Sequence, residues 1–191
     1  MTSTPLFNTA GLSEDPEARE RWWDPSDPRI FVPRAIGLGW DVNLGAIAVK
    51  LGWLREDDLD DDVIAAIPAS FTEGTRVALA MSAGLAIGGT LVATARTGER
   101  TTAISNVIGV AAITGFAATR KQSGDRLVTS SFATGINAGI SLQTLESLAP
   151  TRELRTALKV AQPLAIFGLP LGIVTRGIKL GLSRVTHRIK E

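Results

Sequence analysis

The chain has 191 residues, with 20 Lys and Arg against 19 Asp and Glu, giving a formal net charge of +1. That length allows one domain, or a small domain with an appendage. Cysteine and tyrosine are absent and the one histidine is His187, which excludes disulfides, thiolate metal sites and schemes built on a histidine held inside a fold.

The near-zero net charge hides an uneven chain. Most acids fall in residues 1–76, while between Val77 and Ala149 charges come only in short clusters. A polar head on an apolar body argues against a plain soluble globule.

Residues 1–21 are polar and hold several acids, Pro5 and Pro16. No basic region precedes an apolar core, so this segment is expected to be a flexible, cytoplasmic N-terminus rather than a signal peptide.

Residues 22–63 form the next region, expected as a small cytoplasmic mini-domain. It starts "WWDPSDPRIFVPRAIGLGWDVNLG". Asp24-Pro25 and Asp27-Pro28 are turn formers, because proline fixes φ and aspartate bonds to the backbone that follows. "RIFV" before Pro33 is a strand candidate, and "IGLGWDVNL" is a second extended run loosened by Gly37 and Gly39. A hairpin capped by Trp22, Trp23 and Trp40 fits. The run 42–54, "VNLGAIAVKLGWL", is apolar almost all round. It is either a helix packed under the hairpin or one lying at a membrane interface, with Lys50 and Trp53 at headgroup level. The acids of "REDDLDDD", residues 55–62, lack the spaced ligands and turn glycine of a calcium loop. They read as a solvated turn, with the last aspartates at a helix N-terminus.

Residues 64–175 are the apolar body. Val77–Ala95 is nineteen residues without a charge, Thr102–Thr119 eighteen, Leu127–Leu145 nineteen and Val160–Thr175 sixteen. A span takes about 20 mainly apolar residues. The first and fourth segments meet this, the second is acceptable, and the third, with Asn137, Gln143 and many hydroxyls, would need shielding by its neighbours. A soluble bundle would show a charged face on each helix, and these segments have none. Gly84 and Gly88 would weaken a soluble helix but have the small-xxx-small spacing that lets membrane helices approach closely. Asn106 and Asn137 are candidates to bond across helices. The expected fold is therefore a mainly α membrane protein with about four transmembrane helices and a small N-terminal hairpin or mini-domain.

Orientation follows from Lys and Arg near the span ends. With four spans and a cytoplasmic N-terminus, nine such residues lie inside and five outside. This places the protein in the plasma membrane, multi-pass, with both termini cytoplasmic. Residues 176–191 interleave Arg176, Lys179, Arg184, Arg188 and Lys190 with Ile178, Leu180, Leu182, Val185 and Ile189. That is a basic amphipathic tail suited to anionic lipids. Nucleic acid is not an expected partner.

The stretch Asp27, Pro28, Phe31, Val32, Pro33, Arg34, Gly37, Gly39, Trp40, Asn43, Leu44 and Gly45 resembles a small bacterial family of unknown function. Its mark is Asp-Pro-x-x-Phe-Val-Pro-[Lys/Arg], Gly-x-Gly-[Trp/Tyr], Asn-[Phe/Leu]-Gly. The resemblance covers about a tenth of the chain, implies a place beside transmembrane helices and supplies no catalytic residues. An arginine-rich, lysine-poor composition rich in Ala, Gly and Thr fits an actinobacterial source. Gly37-x-Gly39 lacks the third glycine of a dinucleotide loop, and no P-loop lysine follows. Phe31, Arg34, Trp40 and Asn43 are the candidate partner-binding residues.

None of the four apolar segments holds an ionisable group, which argues against catalysis and active transport. No catalytic, metal or cofactor residue is expected, and no cofactor. The expected role is a non-catalytic accessory or assembly subunit of a larger bacterial membrane complex, a respiratory-chain complex among the candidates. Its partners would be other membrane subunits. The alternatives are a small stand-alone transporter or channel, with a path lined by Asn137 and Gln143, and a membrane- or lipid-binding scaffold.

Overall fold

The computed structural model describes residues 24–33, 40–55, 61–120 and 123–188. The N-terminal segment with Trp22 and Trp23, Arg34, Gly37, Gly39, the acids of 56–60, Lys121 and residues 189–191 lie outside them. The chain divides into two compact units, Met1–Asp61 and Asp62–Glu191.

In the first unit, strands β1 (Phe31–Pro33) and β2 (Trp40–Val42) pair antiparallel, Phe31 opposite Val42 and Pro33 opposite Trp40. Helix α1 (Leu44–Lys50) follows at once. Asn43 starts it, its Oδ1 accepting the Ala46 N–H as an N-cap does. The same Oδ1 accepts the Asp24 N–H at 3.0 Å, and Nδ2 donates to the carbonyls of Asp24 (2.7 Å) and Asp27 (3.1 Å). One side chain therefore pins the leading Asp-Pro loop to the helix start. Asp24 shapes that loop, its Oδ1 accepting the N–H groups of Ser26 and Asp27. Gly45 allows the crossing, because a Cβ there would lie 2.6 Å from the Pro25 nitrogen. Val32, Leu44, Ala46, Ala48 and Leu54 are buried in this unit. The helix stops at Gly52, whose φ of +68° is left-handed. Leu51 and Trp53, at its end, are exposed.

The second unit is helical: α2 (Asp61–Ala66), α3 (Ala69–Thr97), α4 (Arg100–Ala118), α5 (Ser123–Leu148), α6 (Arg152–Pro163) and α7 (Leu169–Arg188). Helix α3 ends at Gly98, with a φ of +76° and its N–H on the Thr94 carbonyl. Glu99 then leads into α4, so the two helices are antiparallel neighbours. Thr151 caps α6 by accepting the Leu154 N–H. A π turn, Leu164–Gly168, joins α6 to α7, with the Leu169 N–H reaching back five residues to the Leu164 carbonyl. Pro163 and Pro170 flank it; neither has an N–H, and the widened turn accommodates them.

Helix α5 is the centre, packed against α3, α4, α6, the π turn and α7. Its close approach to the last helix is made by Gly135 and Gly139. A Cβ on Gly135 would lie 2.6 Å from Pro170 Cγ and 2.9 Å from the Ala165 carbonyl oxygen, and one on Gly139 would lie 2.5 Å from Ile166 Cγ1. Gly84 and Gly88 do not pack within the chain: both are exposed on α3, and a Cβ on either meets nothing within 4 Å. Residues 176–188 are the continuous end of α7, where Ile178 is buried and Gly177 and Gly181 pack on Phe71, Leu127 and Val63. Arg176, Lys179 and Arg184 stay exposed.

Burial in this unit differs from that of a water-soluble bundle, because hydroxylated side chains share the interior with Leu79, Val110 and Ile178 while many large apolar ones lie outside. Ser82, Thr90, Ser130, Ser131, Thr134 and Asn137 are inside, while Met81, Leu85, Ile104, Ile108, Leu164 and Phe167 are at least half exposed. Among the described residues, three helices are long and apolar enough to cross a membrane: Ala69–Thr97, Arg100–Ala118 and the joined Arg152–His187. Helix α5 falls short because its polar side chains fill the centre. Four of its hydroxyls are satisfied locally, those of Ser131, Thr134, Ser141 and Thr144 donating to carbonyls of the preceding turn.

Candidate functional site

Two places gather polar side chains. In the first unit, Phe31 is 64% exposed on β1. Trp40 lies in β2 opposite Pro33, but its side chain, like the whole of Arg34, is outside the described residues. Asn43 is not a surface residue: it is fully buried and its amide is spent on the loop and the helix cap. The exposed polar feature nearby is Arg29, whose guanidinium pairs with both oxygens of Asp27. The hydrogen bonds and charge of Asp27 raise the Arg29 pKa above its ordinary value.

In the second unit, a layered polar seam runs between α3, α4 and α5. At one end lies a cleft of about 440 Å³ lined by residues that include Glu73, Arg76, Thr114, Arg126 and Ser130. An apolar layer of Leu79, Ala117 and Ala133 follows, with Ile113 against it. Asn137 forms the next layer, fully buried, its Nδ2 donating to Thr114 Oγ1 at 3.2 Å and to Ser82 Oγ at 3.4 Å. Its Oδ1 is buried with no hydrogen-bond partner among the described residues. A second apolar layer, Ala83, Ala86 and Val110 with Ile87 and Ile140, closes the far side. Beyond it, at the Gly98–Glu99 turn, is a small, half-open cavity of about 130 Å³ with mostly apolar walls, whose lining includes Thr90, Ala93, Glu99, Asn106, Gln143 and Thr144.

Asn106 and Asn137 thus fall on one seam but in different layers. Asn137 ties three helices together, and Asn106 faces the end cavity. Sequence reading overlooked Thr90, Thr94 and Thr97. Their spacing of four and three residues puts three hydroxyls on one face of α3, and Thr144 and Ser147 do the same on α5. That signal was available but is submerged in a chain rich in threonine and serine.

Residues 25–50 match a family of unknown function (DUF5808). The match spans β1, β2 and α1, including Asn43 and Gly45, the positions whose side-chain bonds and missing side chain fix the loop on the helix. No curated protein and no solved structure matches the chain.

Proposed function

We propose that the protein is a multi-pass plasma-membrane protein that serves as a non-catalytic accessory or assembly subunit of a larger membrane complex. The observation that carries this reading is the exterior of the second unit, where large apolar side chains such as Met81, Leu85, Ile108 and Phe167 are at least half exposed. Lipid is the solvent that such an exterior suits. On this reading all four long helices cross. Helix α5 has 26 residues, about 39 Å at helical rise, which is longer than a hydrocarbon core of about 30 Å. It carries too few apolar residues to face lipid and instead lies among the other helices. Both termini are then cytoplasmic, with the first unit there as a small folded module whose exposed Phe31 meets a partner, and Arg34 and Trp40 are the further residues proposed for binding it. Exposed Arg176, Lys179 and Arg184 meet anionic lipid on the same side.

A role inside a complex is supported by the outward face of α3. Gly84 and Gly88 have open space above them between exposed Met81, Leu85 and Leu91. A helix of another subunit can approach closely there. Co-purification in mild detergent tests it: the Gly84→Leu and Gly88→Leu variants should remain in the membrane and lose the partner. Recovery of the wild-type chain alone would overturn the reading. A second reading, a small transporter, is favoured by clefts at both ends of the seam with Asn137 between them. Solute flux into proteoliposomes holding this chain alone would decide for it.

A further inference from the structure

We propose that the cleft between the start of α3, the end of α4 and the start of α5 binds the phosphate of one anionic phospholipid. The proposal rests on the membrane reading above and is independent of the accessory role. Its first support is a pair of hydroxyl donors with no protein acceptor. Ser130 is 1% exposed and lines the cleft. The hydroxyls of its neighbours Ser131 and Thr134 donate to carbonyls of the preceding turn, whereas that of Ser130 donates to no group among the described residues. Thr114 lines the same cleft. Its Oγ1 accepts from Asn137 Nδ2 at 3.2 Å, and its own hydrogen goes to no group among the described residues. A hydroxyl can both donate and accept. A buried hydroxyl without a partner is costly, so an occupant that brings acceptor oxygens is favoured.

The second support is charge. Arg76 and Arg126 line the cleft together with Glu73, so this lining carries a surplus of one positive charge. Arg76 Nη1 lies 3.1 Å from Glu73 Oε2. Arg126 Nε donates to the Arg120 carbonyl at 2.9 Å, which ties its guanidinium to the chain just after α4. Guanidinium groups only donate, and a phosphodiester offers acceptor oxygens around a single negative charge. The third support is level. Arg76 directly precedes the charge-free stretch that opens at Val77, Arg120 closes the one that ends at Thr119, and Arg126 precedes the one that opens at Leu127. All three helices therefore pass from charged to apolar at this cleft, which is headgroup depth on the membrane reading. The rest of the lining, Val77, Leu79, Ala80, Ala117 and Ala118, is apolar, and Val77, Ala80 and Ala118 are exposed. That side suits the glycerol and acyl chains of a lipid, whereas a free soluble anion would make no use of it. The volume of about 440 Å³ falls within the roughly 300–1,000 Å³ usual for small-molecule sites.

The test is thermal unfolding of the purified full-length chain in a nonionic detergent, followed by far-ultraviolet circular dichroism. The detergent carries dioleoyl phosphatidylglycerol or, at equal mole fraction, dioleoyl phosphatidylcholine. A third sample carries inorganic phosphate and no lipid. Phosphatidylglycerol should raise the midpoint by several degrees over phosphatidylcholine, saturably, as a ligand bound only to the folded state does, and inorganic phosphate should not. Ser130→Ala removes a hydroxyl that the chain itself does not use, and should weaken the apparent affinity for phosphatidylglycerol about tenfold, the value of a hydrogen bond to a charged group. Arg126→Gln should abolish the difference between the two lipids. Arg184→Gln, on the exposed end of α7, should leave it intact. The difference is read within each variant, so a folding cost of a substitution does not obscure it. Equal midpoints in the two lipids would overturn the site, as would a difference that survives Arg126→Gln or disappears with Arg184→Gln. An equal shift with inorganic phosphate alone would overturn a lipid as the occupant. Carbonate extraction separates the two failures. A chain that stays in the membrane without a lipid difference refutes the site alone, and a chain released into the supernatant refutes the membrane reading.

Discussion

Asn43 joins two segments that the chain brings together only through a hairpin. Its amide caps α1 and holds the backbone of Asp24 and Asp27. Losing an N-cap costs about 1 kcal/mol, and leaving buried backbone partners unpaired costs about 1–3 kcal/mol more. Asn43→Ala should therefore destabilise the first unit by about 2–4 kcal/mol, a large share of what so small a unit can hold. All four tryptophans, Trp22, Trp23, Trp40 and Trp53, lie in residues 1–61, so their fluorescence reports this unit. Asn43→Asp keeps the cap acceptor but sets a carboxylate oxygen against the Asp24 and Asp27 carbonyl oxygens in a fully buried position, so its fluorescence transition should fall no higher than that of the alanine variant. Gly45→Ala places a methyl group against the Pro25 backbone, which cannot swing aside as a side chain can, and should lower the same transition. If Asn43→Ala melts like wild type, the amide is not what holds the loop.

Helix pairing separates two glycine pairs of identical spacing. Gly135 and Gly139 lie under Pro170 and Ile166, and Gly84 and Gly88 face open space. Gly135→Leu should push α7 off α5 and lower the midpoint of the whole bundle by about ten degrees or more, or prevent accumulation. Gly84→Leu should leave the midpoint within a few degrees of wild type. Equal effects on the isolated chain would mean that the two pairs are not distinguished by packing. Sequence shows the spacing but not the neighbour, which is why the inward pair could not be told from the outward one. The same limit applies to Asn43: a cap residue and a surface hydrogen-bonder look alike until the loop is folded back on it. Where long apolar helices run was legible. The charge-free windows Val77–Ala95 and Thr102–Thr119 lie inside α3 and over α4. The helix ends were less so, because Glu73 and Arg76 sit within the first turns of α3, and the charge-free window opens only after the helix is under way. The end cavity was not legible at all, since its oxygens come from three helices and from hydroxyls common throughout the chain.

For the whole molecule, the decisive question is the path of α5. Close approaches tie Gly135 to Pro170 and Leu127 to Gly177, so α5 and the last helix run in opposite directions. The cleft at one end joins Arg76, Thr114 and Arg126, and the cavity at the other joins Thr94, Asn106 and Gln143, so α3, α4 and α5 alternate too. On the proposed reading, the central helix of this alternating bundle crosses the membrane with the other three. The turns near Arg100 and Pro150 then share one side, and Thr119 and Ser183 share the other. The chain has no cysteine, so single introduced thiols report without background. Arg100→Cys and Pro150→Cys should react with an impermeant thiol reagent in intact cells, while Thr119→Cys and Ser183→Cys react only after lysis. All four positions are exposed, so protection reflects the membrane rather than packing. Reaction at Arg100 but not at Pro150 would mean that α5 turns back without crossing. Reaction at all four, together with release by carbonate, would mean that the apolar exterior is covered by protein and not by lipid.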